Sequence, residues 1–319
     1  MKKILLVGCG NIGSRHLQAL AKIQDELIIE IIEPNSDNAK IGKERLNEIS
    51  STKSHTISWK TSLEYLSPSD FVIVSTPAMG RAQILSKLLD MGNTNFLIEK
   101  LVCQSKKEYI LLLKNFENKS ANGWVNTTRR YFEIYQNIKK SFEGKPFNLS
   151  VNAGDSSLGS NAIHFLDLFS WITDEFELKL NGDYLLPKIS NNKKYPELLE
   201  FFGTITTSTS KNSFLNISFL PYADLPLTLT FQNENNHFVV DETNRNVYFF
   251  KNSDNLQLTP NQEYSSTFMT RVFNDILLHG TCDLPSLKQS SFSHIELFRI
   301  FNNHIKKIQN KTVELCPIS

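Results

Sequence analysis

The string Gly8-Cys9-Gly10-Asn11-Ile12-Gly13 fits G-x-G-x-x-G, and its surroundings constrain the chain more than any other feature. It follows an apolar run at residues 3–7 that reads as a buried strand, and it opens residues 11–23, where apolar side chains recur at helical spacing. In such a strand–turn–helix unit the first glycine permits the tight turn and the second lets main chain approach a pyrophosphate. The third allows helix and strand to pack closely, and the helix amino terminus faces negative charge. Glu33 closes a second apolar run at 27–32. A carboxylate there accepts hydrogen bonds from adenosine ribose hydroxyls and repels a 2′-phosphate, so NAD is the expected cofactor, with NADP disfavoured. The competing readings are a glycine turn of structural value only and a methyltransferase turn.

The architecture beyond the turn makes the methyltransferase reading poor. Short apolar runs at 27–32, 71–75 and 95–99 alternate with helical stretches near 38–49 and 81–90, the pattern of a doubly wound parallel sheet. Beyond about residue 145 the period changes to strand-like alternation at 147–151, 176–180, 201–208, 213–220, 226–232, 237–240 and 247–251. These runs predict a mainly antiparallel open sheet, interrupted by a helix over 161–171 and followed by helices over 265–278 and 288–308. The fold class is therefore α/β: an amino-terminal Rossmann sheet, residues 1–121, and an α+β domain with a mainly antiparallel open sheet, residues 122–319. The polar stretch 252–263 reads as a loop. Aromatic residues on the uncovered face of the second sheet suit subunit pairing, so a homodimer or homotetramer is expected.

Composition removes other classes. The 34 basic and 33 acidic residues leave a net charge of +1, so nothing in the charge balance favours nucleic acid or anionic membrane. No apolar run approaches the roughly 20 residues that cross a bilayer, and the short apolar start differs from a secretory leader, so a cytoplasmic location is expected. The cysteines at 9, 103, 282 and 316 have no metal-ligand spacing and read as reduced, buried thiols; no metal is expected. His16, His55, His237, His279, His294 and His304 form no ligand-like grouping and read as structural or surface residues. No Gly-x-Ser-x-Gly string is present.

Several strings in order carry a family resemblance. Residues 3–20 with Gly13-Ser14-Arg15-His16, then Asp70-Phe71-Val72-Ile73-Val74-Ser75-Thr76-Pro77, then Phe96-Leu97-Ile98-Glu99-Lys100 resemble the Gfo/Idh/MocA oxidoreductases. Val125-Asn126-Thr127-Thr128-Arg129-Arg130 and His164-Phe165-Leu166-Asp167 look like later blocks of the same family. The resemblance implies NAD(P)-linked hydride transfer on a sugar, nucleotide-sugar or related polyol. The alternative on the same fold is a catalytically silent dinucleotide-binding sensor or complex partner.

The residues agree chemically with that implication. Lys100 follows a buried strand and so projects from the carboxyl edge of the sheet, where its ammonium can stabilise alkoxide character; otherwise it is a surface lysine paired with Glu99. His164 is the candidate general base, or else a core histidine. Asp167, one helical turn later, orients His164, contacts substrate or caps a helix. Gly8, Gly10, Asn11, Ile12, Gly13, Glu33, Ser75, Thr76, Pro77 and Glu99 are the expected cofactor residues, and Asn126, Arg130 and Asp167 the expected substrate residues. Three departures from the family pattern stand out. Leu101 replaces a customary proline, so the preceding peptide is expected either trans with a differently aimed lysine or cis and held by its neighbours. Ser160 replaces an aspartate four residues before His164, and Arg81 stands where many relatives carry histidine.

Overall fold

A computed structural model of the chain describes residues 1–49, 55–154, 157–192, 195–221, 224–251, 254–258 and 265–319. The chain forms two compact units. The first comprises Met1–Cys103, Lys107–Asn126 and Glu263–Lys288, and the second comprises Gln104–Lys106, Thr127–Gln262 and Gln289–Ser319.

In the first unit, strands and helices alternate: β1 (Lys2–Val7), α1 (Gly13–Leu20), β2 (Leu27–Ile32), α2 (Ser36–Asn47), β3 (Thr56–Lys60), β4 (Phe71–Val74), α3 (Arg81–Asp90), β5 (Asn95–Ile98), α4 (Lys106–Asn118) and β6 (Asn122–Val125). The six strands lie in the order β3-β2-β1-β4-β5-β6, every pair parallel. Ile4 to Leu6, Phe71 to Val74 and Phe96 to Ile98 are almost entirely removed from solvent, as strands covered on both faces require. Strand order reverses between β1 and β4, with Val7 opposite both Ile32 and Val74. The glycine turn after β1 therefore lies at the switch point, where sheets of this kind bind ligands.

Two of these strands escape the sequence reading. β3 is an edge strand, half-exposed apart from its first residue, and β6 contains Gly123; neither offers a continuous apolar run. Because β6 pairs in register with β5, the first sheet extends past the expected boundary at 121 and 122. The late segment Glu263–Lys288 also belongs to this unit. Its Phe273 packs 5.9 Å from both the His16 ring and the Phe71 ring, and Pro285 accepts the Val125 N–H.

The second unit carries a 3₁₀ turn (Thr128–Tyr131), α5 (Glu133–Phe142), β7 (Asn148–Gly154), α6 (Leu158–Thr173) and then β8 (Asn181–Asn191), β9 (Leu199–Ser208), β10 (Phe214–Leu220), β11 (Thr228–Gln232), β12 (His237–Asp241), β13 (Asn246–Lys251) and β14 (Asp254–Leu258). The eight strands run β14-β13-β12-β11-β7-β10-β9-β8, antiparallel except for the β7–β10 pair. Leu149, Val151, Leu215, Ile217, Leu229 and Phe231 face the core, and α6 packs there, with Phe165 6.1 Å from Phe219. The opposite face shows half-exposed Ser150, Asn216 and Ser218. Two helices complete the chain, α7 (Ser265–His279) and α8 (Leu287–Gln309).

The strand expected at 176–180 does not form; β8 begins at Asn181. The alternation there has another cause, since Leu178 and Leu180 are buried and Phe176 lies under the Arg130 guanidinium at 5.7 Å. The polar stretch 252–263 contains β14, and its remaining residues lie outside those described.

Candidate active site

Packing explains the glycine turn residue by residue. Gly8 has φ +86°, and a Cβ there would stand 3.0 Å from the Thr76 nitrogen and 3.1 Å from the Ser75 carbonyl. A Cβ on Gly13 would meet the Gly8 oxygen at 2.0 Å and the Ser75 Oγ at 2.6 Å. Gly10 is different: its nearest neighbours would be Asn38 side-chain atoms at 3.5–3.6 Å. Nothing inside the protein demands a glycine at that position, whereas a phosphate approaching the main chain does. The next helix starts without a neutralising group, because Ile12 at its cap offers no side-chain hydrogen bond and no acidic residue stands in its first turn.

Glu33 closes the same turn from below. Its Oε2 accepts the Cys9 N–H at 2.7 Å and its Oε1 accepts the Asn35 N–H at 2.9 Å, so the carboxylate is fixed beside the glycines with lone pairs left for hydroxyl donors. Arg45, from α2, carries no sequence signal of its own, yet it donates to the Asn11 carbonyl at 2.7 Å and to the Asn11 Oδ1 at 2.8 Å. Burial, and then the Glu33 charge, push the Cys9 thiol up to about 12 against the pull of Arg45. It stays neutral in the turn. Cys9, Cys103 and Cys316 are buried and unbridged, and no metal-ligand cluster exists among the described residues.

At the carboxyl ends of β4, β5 and β6 lies a second group of polar side chains. Ser75 donates to the Gly8 carbonyl at 2.6 Å. Glu99 accepts from His16 at 2.7 Å and from the Asn126 amide at 2.5 Å. Burial drives this carboxyl upward, but the hydrogen bonds from His16 and Asn126 and the Arg81 charge outweigh it and hold it below the usual range. Glu99 thus binds neighbours within the protein, and His16, read from sequence as structural or surface, is its partner 83 residues away. The Lys100–Leu101 peptide is cis, one of the two expectations raised by the missing proline. Thr76 Oγ1 and Asn126 Oδ1 are buried with no partner at the ends of β4 and β6. Together with the uncrowded main chain at Gly10, these two orphaned oxygens fit a bound nicotinamide dinucleotide whose amide and hydroxyl donors would satisfy them.

The second unit holds the remaining candidates. His164 is half-buried on α6, on the stripe that also presents Ser157, Ser160 and Asn161 at intermediate exposure. Ser157 caps this helix by accepting the Ser160 N–H, and Ser160 hydrogen-bonds the same Oγ at 3.1 Å. Arg130 and Asp167 form a two-pronged buried pair, Nε to Oδ2 at 2.9 Å and Nη2 to Oδ1 at 2.5 Å. Neighbouring Arg129 makes the same kind of fork to Glu242, at 2.9 and 2.7 Å, and stacks 4.4 Å from the Phe165 ring. The 3₁₀ turn carrying both arginines is thereby fastened twice.

Comparison with known proteins finds a family likeness in the first unit. Residues 2–127 match the model of the oxidoreductase family with an NAD-binding Rossmann fold, GFO_IDH_MocA. The matched segment is similar to the NAD-binding domain of the Gfo/Idh/MocA oxidoreductases. Its class of activity is that of an NAD-binding oxidoreductase. The whole chain shares its fold with UDP-N-acetylglucosamine 3-dehydrogenase GnnA from Acidithiobacillus ferrooxidans, at 12% identity, a TM-score of 0.74, and 97% coverage of this chain and 99% of that one. It is also similar to an oxidoreductase from Agrobacterium radiobacter in complex with NAD+, L-tartaric acid and magnesium (14% identity, TM-score 0.69, 93% and 94% covered). A third likeness is KijD10, a 3-ketoreductase from Actinomadura kijaniata in complex with NADP (15% identity, TM-score 0.68, 93% and 94% covered). No curated protein sequence matches the chain. Among the described residues, no helix is long and apolar enough to cross a membrane.

Proposed function

We propose that this oxidoreductase moves hydride between NAD and a hydroxyl-bearing carbon of a sugar or nucleotide-sugar. The single observation that carries the cofactor is the glycine turn, with Glu33 fixed beside it and only the Asn38 side chain, at 3.5–3.6 Å, next to a Cβ on Gly10. Glu33 supports NAD over NADP because its carboxylate repels a 2′-phosphate. Gly8, Gly10, Asn11, Ile12 and Gly13 would hold the diphosphate, and Ser75, Thr76 and Pro77 would line the nicotinamide side. Glu99, which His16 and Asn126 engage, would act on the cofactor side through them.

When bound, the nicotinamide supplies the hydride acceptor or donor. Lys100 is the first unit's proton-handling residue: its ammonium hydrogen-bonds the reacting oxygen and stabilises negative charge there. His164 is the second unit's, and takes the hydroxyl proton in the oxidative direction. The carbon's hydrogen leaves with its electron pair, the C=O bond forms, and the O–H proton rests on the imidazole. Arg130 and Asp167, a prealigned pair in the second unit, and Asn126 in the first are the proposed substrate residues. The sugar preference is supported by neighbours named for a UDP-N-acetylglucosamine dehydrogenase and a ketoreductase. A homodimer or homotetramer belongs to the same proposal, supported by exposed Phe214 and Leu220 at the two ends of β10, although Phe219, Phe231 and Phe238 are buried in the core. A cytoplasmic location belongs to the same proposal, as suits a nicotinamide-linked enzyme of small metabolites.

The test is calorimetric titration with NAD and NADP, followed by nicotinamide absorbance across a panel of sugars and nucleotide-sugars. NAD binding with turnover that is lost in both Lys100→Ala and His164→Ala is the expected result. Normal turnover in either variant overturns that residue's role, and absence of heat with both coenzymes overturns the proposed function as a whole.

A further inference from the structure

We infer that Arg81 is a positioning residue that sets the aim of Lys100, an inference about the same site and resting on the proposed hydride transfer. Arg81 opens α3, after Gly80 at φ +78°, and its side chain is only 2% exposed. It folds back to donate to three main-chain carbonyls: Thr76 at the end of β4, and Glu99 and Leu101 on either side of Lys100. One side chain thus joins two strand ends. Three carbonyl oxygens converging on one buried point need a donor with several N–H groups in one plane, which a guanidinium provides. A lysine ammonium offers three donors in a tetrahedron, and an imidazole at most two in opposite directions.

The charge is also placed for this purpose. Burial pulls the guanidinium down to about 10, with Glu99 and Cys103 acting the other way, so it stays protonated at neutral pH. The main chain before and after Lys100 is pinned by one cation, which limits where the lysine side chain can start. A group held this way handles its proton in one geometry, and misplacement by about 1 Å lowers turnover about 100-fold. Arg81 directs its hydrogen bonds to main chain alone, so its effect passes through Lys100 and Thr76.

The experiment uses the full chain, reductively methylated with carbon-13 so that each lysine gives a dimethylamino resonance, with Lys100→Arg assigning the signal. Arg81→Met keeps length and apolar bulk but removes every donor, and Arg81→Lys keeps the charge while losing the planar fork. In both variants the Lys100 resonance is expected to narrow, reporting a side chain released from its fixed origin. In Arg81→Met its titration midpoint is also expected to rise by about half a pH unit, because a like charge has gone. On unmethylated protein, kcat is expected to fall about 100-fold with little change in sugar KM, and NAD affinity by calorimetry to stay within about threefold. If Arg81→Met does not fold, the line width in Arg81→Lys decides. A Lys100 resonance of unchanged width in the folded variants overturns the inference, whatever the turnover. Failure of wild-type protein to bind either coenzyme would sink the proposed function while leaving the Lys100 line width to stand or fall alone.

Discussion

Replacing Gly10 by alanine separates what the glycine turn does for the fold from what it does for a ligand. The added methyl would meet only Asn38 side-chain atoms at 3.5–3.6 Å, ordinary van der Waals contact, and Gly10 does not occupy the left-handed region. Folding should therefore be unharmed, or improved by about 0.4–1 kcal/mol through the narrower unfolded ensemble. The same methyl stands where a diphosphate oxygen would approach the main chain, and losing one or two close N–H contacts costs about 1.5–3 kcal/mol for a charged acceptor, or roughly 10- to 150-fold in Kd. Gly13→Ala is the contrast. Its Cβ would overlap the Gly8 oxygen at 2.0 Å, so helix and strand must part, with overpacking costs of about 1–3 kcal/mol or more. Thermal melts and NAD calorimetry on both proteins check the pair. A Gly10→Ala protein that melts like wild type and binds NAD equally well would refute the placement of the diphosphate against this turn, and with it the cofactor assignment.

Glu33→Gln keeps one acceptor oxygen for the Cys9 or Asn35 N–H but removes the charge, and should raise NADP affinity relative to NAD, read by parallel titrations. Breaking the buried Arg130–Asp167 fork with Asp167→Asn strands a guanidinium and should cost about 3–5 kcal/mol in urea melts, whereas the double change Arg130→Met with Asp167→Leu should cost much less. Acid should destabilise the protein through Glu242. Burial works to raise that carboxyl, but Arg129 and Tyr135 hold it below its ordinary 4.5. A depressed folded-state value gives stability that is complete above 4.5 and is lost as pH falls through the folded value. Melts from pH 6 downward should show a shallower loss in Glu242→Gln than in wild type, and equal slopes would contradict the assignment.

What the sequence made legible obeys a physical rule: it shows demands that neighbouring residues impose on each other and hides those imposed by distant ones. Gly8 and Gly13 are required by atoms within one turn of chain or at the adjacent strand end, and the motif around them is a local record of that packing. Apolar runs such as Phe71–Val74 record burial on both faces of one strand. β3 and β6 left no such record, the first because an edge strand is half solvated and the second because Gly123 must make room for Phe116, 2.9 Å from its missing Cβ. The site's charge pairs are further from sequence still. His16 meets Glu99 across 83 residues and Arg129 meets Glu242 across 113, separations at which no period operates. The expected strand at 176–180 fails for the same reason: its aromatic is claimed by Arg130, a contact that alternation cannot encode. Arg81 belongs with these. In sequence it stands out only as a departure from the histidine of many relatives, and the convergence of three carbonyls from two strand ends gives it a buried task. A motif thus records packing within a few residues of itself, while side chains such as Arg81 and Glu242 are given their partners by the three-dimensional arrangement.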